Sequence, residues 1–132
     1  METHGYGMAV STGLSSAEAE SLVRAALADE GFGVLTEIDV AATLKEKLGV
    51  ERGPYKILGA CNPTLADRAI AVEEDIGLLL PCNVIIYETG GRTVVAAMEP
   101  TTIVNLTSNL ELESIAAEAR AALDRALSSL PQ

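Results

Sequence analysis

Residues 84–97 have the sequence Val-Ile-Ile-Tyr-Glu-Thr-Gly-Gly-Arg-Thr-Val-Val-Ala-Ala. Two runs rich in β-branched residues, 84–87 and 92–97, flank the segment Glu88–Gly91, whose adjacent glycines favour a tight turn. Strands joined by so short a connection pair antiparallel. The sequence therefore predicts a β-hairpin here, and with it a sheet that is at least partly antiparallel.

The remainder of the chain alternates between strand-like and helix-like segments, which Gly and Pro separate. Further strands are predicted at about residues 6–10, 32–38 and 55–60, and helices at about 16–30, 40–48, 63–74 and 110–129. These elements favour an α+β fold: a mostly antiparallel sheet of about five strands, helices packed on one face, and a long C-terminal helix. A doubly wound parallel sheet is less favoured, because it would need near-continuous Val/Ile strands with a helix between every pair.

The length and composition fit one compact domain. The chain has 132 residues, of which 48% are hydrophobic but only 3% aromatic, so the core must be aliphatic and rich in alanine. The apolar content excludes a disordered chain, and the presence of only two cysteines excludes a disulfide-rich scaffold. We predict a single domain over residues 6–132, preceded by a flexible tail at residues 1–5.

The charge balance limits the partners of the protein. Nine Lys and Arg residues stand against 19 Asp and Glu, a formal charge of −10. Because nucleic-acid and anionic membrane surfaces attract basic patches, we expect neither as a partner. The apolar stretch Ile76–Tyr87 is too short to span a bilayer, and the N-terminus lacks a signal segment. We expect a cytoplasmic protein.

Three segments carry a resemblance to a known family. They are Gly-Phe-Gly-Val-Leu-Thr-Glu-Ile-Asp-Val at 31–40, Tyr-Lys-Ile-Leu-Gly-Ala-Cys-Asn-Pro at 55–63 and Ile-Gly-Leu-Leu-Leu-Pro-Cys-Asn-Val at 76–84. In order and spacing they resemble the domain-of-unknown-function 302 family of bacteria and archaea, over roughly residues 6–128. The resemblance implies a TATA-binding-protein-like α+β fold and a homodimer. It implies no activity and no cofactor, and a fold name does not by itself imply DNA binding.

Two of these segments each contain a cysteine followed by an asparagine. Cys61 ends one predicted strand and Cys82 begins another. If the helix and loop between them return the chain to the same edge of the sheet, the two strand ends are neighbours, but the sequence does not establish that the cysteines touch. The candidate functional residues here are Cys61, Asn62, Pro63, Pro81, Cys82 and Asn83.

Several interpretations of this cysteine pair stay open. Both cysteines can be small buried hydrophobes, with Asn62-Pro63 serving as a helix cap. Alternatively they form a redox-active or persulfide-carrying thiol pair, which predicts an accessible thiol of lowered pKa. A metal site is disfavoured because only two ligands are evident, and a disulfide depends on the Cα separation.

Two carboxylates form a second candidate site. Glu37 and Asp39 alternate along one predicted strand and would share a face, where they could act as acid and base. The more frequent arrangement is a solvated strand end with Asp39 capping the following helix. His4, the single histidine, is expected to lie in the tail, away from any catalytic site.

The sequence contains no recognisable catalytic set, which leaves open whether the protein is an enzyme. We expect a homodimeric module that binds a small molecule or a partner without catalysis. The alternatives are a thiol-based redox or sulfur-carrier protein using Cys61 and Cys82, and a purely structural module that docks through residues 6–10 or 101–106. Small side chains of the C-terminal helix either leave room for a groove against the sheet or allow close packing without a cavity, and the sequence favours neither. They are the alanines at 116, 117, 119, 121, 122 and 126.

Overall fold

A computed structural model describes all 132 residues. The strands are β1 (Glu2–His4), β2 (Gly7–Thr12), β3 (Gly33–Asp39), β4 (Tyr55–Cys61), β5 (Cys82–Thr89) and β6 (Arg92–Met98). The α-helices are α1 (Ser16–Asp29), α2 (Val40–Leu48), α3 (Pro63–Val72), α4 (Thr101–Thr107) and α5 (Glu113–Ser128). Short 3-10 helices cover Glu74–Leu79 and Leu110–Leu112.

The strands form one antiparallel sheet in the order β1-β2-β6-β5-β4-β3. The fold class is therefore α+β, as predicted, but the sheet has six strands rather than about five. The additional strand, Glu2–His4, lies within the segment predicted as a flexible tail. All three of its residues are exposed, so it pairs through its backbone and has no hydrophobic pattern that would reveal it.

The predicted hairpin is formed by β5 and β6. Thr89 and Arg92 are the last paired residues, and the two glycines between them have φ values of 58° and 77°. Positive φ at both central positions is the geometry of a type I′ turn, which matches the twist of the flanking strands. Glycine adopts it without the steric cost that a side chain would bring.

Side chains of one sheet face pack against helices α1 and α5. The buried positions alternate along the strands, as in Met8 and Val10, and meet the small or aliphatic residues of the helices, such as Val23 and Leu123. Four alanines of α5 are buried, at positions 116, 119, 122 and 126. The core is thus aliphatic and alanine-rich, as the composition required.

Capping residues fix where the helices begin. Ser15 and Glu18 form a reciprocal capping box at α1, with the Glu18 amide donating to Ser15 Oγ and the Ser15 amide donating to Glu18 Oε1. The C-terminal helix begins at Glu113, slightly later than predicted, after a 3-10 turn. Helix α4 was not predicted, because its segment has neither a polar N-cap nor a buried residue. None of the helices combines the length and the apolar character that a membrane span requires.

Candidate functional site

A cavity of about 370 Å³ lies at one end of the sandwich. Its walls come from the ends of β4 and β5, from α3 and the 3-10 helix after it, and from the first half of α5. Ala116 and Ala119 contribute the helix α5 wall, so this part of the alanine stripe leaves room, whereas Ala122 and Ala126 pack into the main core and do not line the cavity. The volume falls within the range of small-molecule pockets, roughly 300–1,000 Å³.

The lining of this cavity is apolar and carries no charge. Of its 21 residues, 16 are hydrophobic, and none is Asp, Glu, Lys, Arg or His. Besides the two cysteines, only Thr36 and Asn62 bring polar side-chain atoms. The hydrophobic members are Phe32, Leu35, Ala60, Cys61, Leu65, Ala66, Ala69, Ile70, Ile76, Leu80, Cys82, Ile103, Leu112, Ile115, Ala116 and Ala119.

The strand register brings the two cysteines to this cavity. Ala60 and Cys82 are direct partners across β4 and β5, and Cys61 is the next residue along β4. Both cysteines are free thiols and both line the cavity. Cys82 is only 8% exposed, whereas Cys61 is partly exposed.

The environment of Cys82 opposes ionisation. Burial, together with the neighbouring Cys61, raises the pKa of the Cys82 thiol to about 11. An apolar surrounding disfavours the charged thiolate, so at neutral pH Cys82 carries its proton. This is the opposite direction from the lowered pKa that thiol catalysis favours. The structure also contains no group of three His, Cys, Asp or Glu side chains placed to hold a metal ion.

Asn62 and Pro63 begin helix α3. Asn62 Oδ1 accepts a hydrogen bond from the Leu65 amide at 3.2 Å, and Pro63 occupies the first turn. Proline fits there because the first amides of a helix have no intrahelical acceptor. Asn62 also forms part of the cavity wall, whereas Pro63 faces a separate polar cleft between α3 and α5.

The two remaining residues of the cysteine motifs, Pro81 and Asn83, lie in different surroundings. Pro81 lines the cavity beside Cys82. Asn83 is exposed and does not line it. Of the six motif residues, the structure therefore gathers Cys61, Asn62, Pro81 and Cys82 at one cavity.

Glu37 and Asp39 have separate structural contacts. Asp39 is the N-cap of α2 and accepts from the Ala42 amide at 2.9 Å. Glu37 accepts from Lys56 Nζ at 2.9 Å and from Arg24 at 3.0 Å. The hydrogen bond and charge of Lys56 hold the pKa of Glu37 below its usual range, which keeps this carboxylate ionised. Neither residue lines the cavity.

His4 lies on β1, with its ring against Tyr6 at a centroid distance of 5.1 Å. It does not reach the cavity. Most of the lining, such as Phe32, Ile76 and Leu112, was not singled out from the sequence. These residues give the same signal as core residues, because both classes are apolar and buried.

The fold and the cavity define the class of this protein: an α+β sandwich in which helices cover one face of an antiparallel sheet and leave an uncharged cavity at one end. The chain belongs to the family described as "Domain of unknown function DUF302", which it matches over residues 8–130. It is similar to the crystal structure of the uncharacterized conserved protein DUF302 from Bacillus stearothermophilus, at 31% identity and a TM-score of 0.87. That likeness covers 92% of this chain and 95% of the other. No curated protein matches the sequence.

Proposed function

We propose that this domain is a cytoplasmic binding module that holds a small apolar molecule in the cavity between α3, α5 and the strand ends. The observation that carries the proposal is an apolar cavity of about 370 Å³ in a chain of this size. The cavity opens to solvent, since Leu35 and Ile70 of its wall are 69% and 45% exposed. Its apolar lining therefore faces water when no ligand is bound, and an apolar ligand stabilises the complex by removing both surfaces from water.

The size of the cavity limits the size of the ligand. At roughly 30 Å³ per water molecule in the liquid, this volume corresponds to about a dozen waters. Bonded atoms pack more closely than separate water molecules, so an apolar molecule of roughly 15–20 non-hydrogen atoms fits such a space. The lining offers mostly aliphatic contacts, so binding rests on shape and burial rather than on a dense set of hydrogen bonds.

The test uses N-phenyl-1-naphthylamine, a neutral apolar fluorophore whose emission rises when it leaves water. Leucine at position 116 places extra carbons inside the cavity, because Ala116 is buried and lines it. We expect Ala116→Leu to weaken probe binding at least about tenfold, the order expected from losing well-packed apolar contacts. Unchanged binding would contradict the proposal.

Ala117 supplies the matched control. It is the next residue on α5 but is exposed and does not line the cavity. Ala117→Leu therefore adds the same carbons to the same helix on its solvent side, and we expect wild-type probe binding. Circular dichroism of both variants checks that helix α5 is retained.

Thiol chemistry is the second candidate function, and one observation favours it: Cys61 and Cys82 line the same cavity. The proposal assigns the reactive role to Cys61, since Cys82 is buried and protonated at neutral pH. Iodoacetamide labelling followed by mass mapping tests it. Fast labelling of Cys61, with a rate that reaches half its maximum below pH 8, would favour a reactive thiol. Slow labelling at both positions would indicate that the cysteines are structural.

A further inference from the structure

We infer that the ligand of the cavity is electrically neutral, an inference that rests on the binding function proposed above. None of the 21 lining residues carries a charged side chain. A carboxylate or ammonium buried without a partner loses its hydration and gains nothing in return. An ionised ligand would therefore be held only with its charged group outside the cavity.

Cations on the two flanking helices are already engaged. Arg68 of α3 donates to Glu118 at 2.7 Å, and Arg120 of α5 donates to Glu99 at 2.7 Å. These partners neutralise the two guanidinium groups, and moving either arginine to a ligand carboxylate would leave a glutamate without its partner. The formal charge of −10 opposes an anion at the cavity mouth as well.

A cationic ligand meets a different obstacle. The lining has no carboxylate to pair with it, and Phe32 is its single aromatic residue. An ammonium group in an apolar site needs either a carboxylate or several aromatic faces around it. The cavity provides neither.

The polar atoms that are present suit an uncharged oxygen. Asn62 and Thr36 bring an amide and a hydroxyl to the wall. Such groups form hydrogen bonds with an alcohol, ketone or ester oxygen without requiring a charge. The ligand class is thus a compact apolar molecule with at most one neutral polar group, which excludes free fatty-acid anions, amino acids and phosphate esters.

The experiment compares two chains of equal carbon number, 1-octanol and octanoate at pH 8, as displacers of bound N-phenyl-1-naphthylamine. We expect octanol to displace the probe at a concentration at least tenfold below that of octanoate. Equal or better displacement by octanoate would overturn the neutral-ligand inference while leaving the binding function intact. If octanol fails to displace a probe that does bind, the ligand class is also wrong. If the probe does not bind at all, the proposed function itself fails.

A positive charge placed in the wall should narrow the preference for octanol over octanoate. Ile70 lines the cavity from α3 and is half-exposed, so lysine there can reach both a ligand and water. We expect Ile70→Lys to lower, at least fivefold, the ratio of the octanoate concentration to the octanol concentration needed to displace the probe. Leu78→Lys is the control, because Leu78 is 87% exposed and outside the lining. An equal effect of both variants would mean that net charge alone, rather than the cavity wall, excludes octanoate, and would overturn the inference.

Discussion

Ala60 and Cys82 lie directly opposite each other on neighbouring strands, on the face that the helices cover. The pairing places the Cys82 thiol in the apolar wall of the cavity, with Cys61 one residue beyond its partner. Burial rather than hydrogen bonding therefore determines the chemistry of Cys82, whose pKa rises to about 11. A sequence argument that treats the two cysteines as equivalent misses this difference in exposure.

The stability of the protein should fall between about pH 9 and pH 11 because of Cys82. The unfolded thiol ionises near its ordinary pKa of 9.0, whereas the folded thiol keeps its proton to about 11. Above pH 9 the unfolded state binds fewer protons than the folded state, so rising pH favours unfolding. A pKa difference of about two units corresponds to a loss of about 2–3 kcal/mol. Urea unfolding at pH 8 and at pH 11 measures it.

Variants separate this effect from the titration of lysines and tyrosines. In Cys82→Ala the free energy of unfolding should fall about 2–3 kcal/mol less between pH 8 and pH 11 than in wild type. The variant lacks the thiol whose pKa differs between the folded and unfolded states. Cys61→Ala, at the partly exposed position, should retain most of the pH dependence. Identical profiles for wild type and Cys82→Ala would contradict the assignment.

Gly59 leaves room for the side chain of Thr36 on the adjacent strand. A Cβ at position 59 would collide with Thr36 Oγ1 and would lie 2.9 Å from the Pro81 ring. Gly59→Ala should therefore destabilise the fold by about 1–3 kcal/mol, the usual cost of overpacking. Chemical denaturation measures the change in the free energy of unfolding. Gly33→Ala is the control, since a Cβ on that neighbouring strand meets nothing within 4 Å, and an equal loss there would contradict the steric explanation.

Local signals in the sequence predicted much of this fold. The Gly90-Gly91 turn, the capping box of Ser15 and the Asn62-Pro63 helix start all depend on contacts within a few residues. Such contacts can be recognised from local sequence patterns without knowing the tertiary structure. The sequence left open whether Cys61 and Cys82 lie together, and the pairing of Ala60 with Cys82 across β4 and β5 decides it.

The cavity itself could not be predicted in this way. Ile103 and Leu112 have the apolar character of core residues, and only the packing of α4 and α5 decides that they border a space. The edge strand β1 was missed for a related reason. Its pairing rests on backbone hydrogen bonds to β2, which leave no pattern in exposed side chains.

The packing of α5 against the main core should contribute several kcal/mol to stability. Leu123 is fully buried in the main core, between the helix and the strands. Leu123→Ala should cost about 2–5 kcal/mol, because it removes apolar contacts and leaves a cavity. The control is Leu110→Ala, since Leu110 is 72% exposed and should lose less than about 0.5 kcal/mol. Urea denaturation of the two variants tests this order, and a reversed order would contradict the assigned core.

The homodimer stays a prediction, and the sheet face opposite α1 and α5 is its proposed surface. Ile57, Ile85 and Ala96 are aligned across three strands there and are only half-buried. Beside them, Tyr55 and Tyr87 stack at a centroid distance of 5.6 Å. This row carries no charged residue, whereas two copies with a charge of −10 each repel elsewhere. This apolar row is therefore where a second copy approaches at least cost.

Sedimentation velocity tests this surface. Wild type should sediment as a species of about twice 13.7 kDa, and Ile85→Lys should shift it to the monomer, because pairing two copies would bury a lysine without a partner. Leu78→Lys adds the same charge at a position that is 87% exposed and should leave the dimer intact. If wild type sediments as a monomer, the predicted homodimer is wrong. A dimer that survives Ile85→Lys would instead place the interface on another face, and the apolar row would then not be a dimer contact.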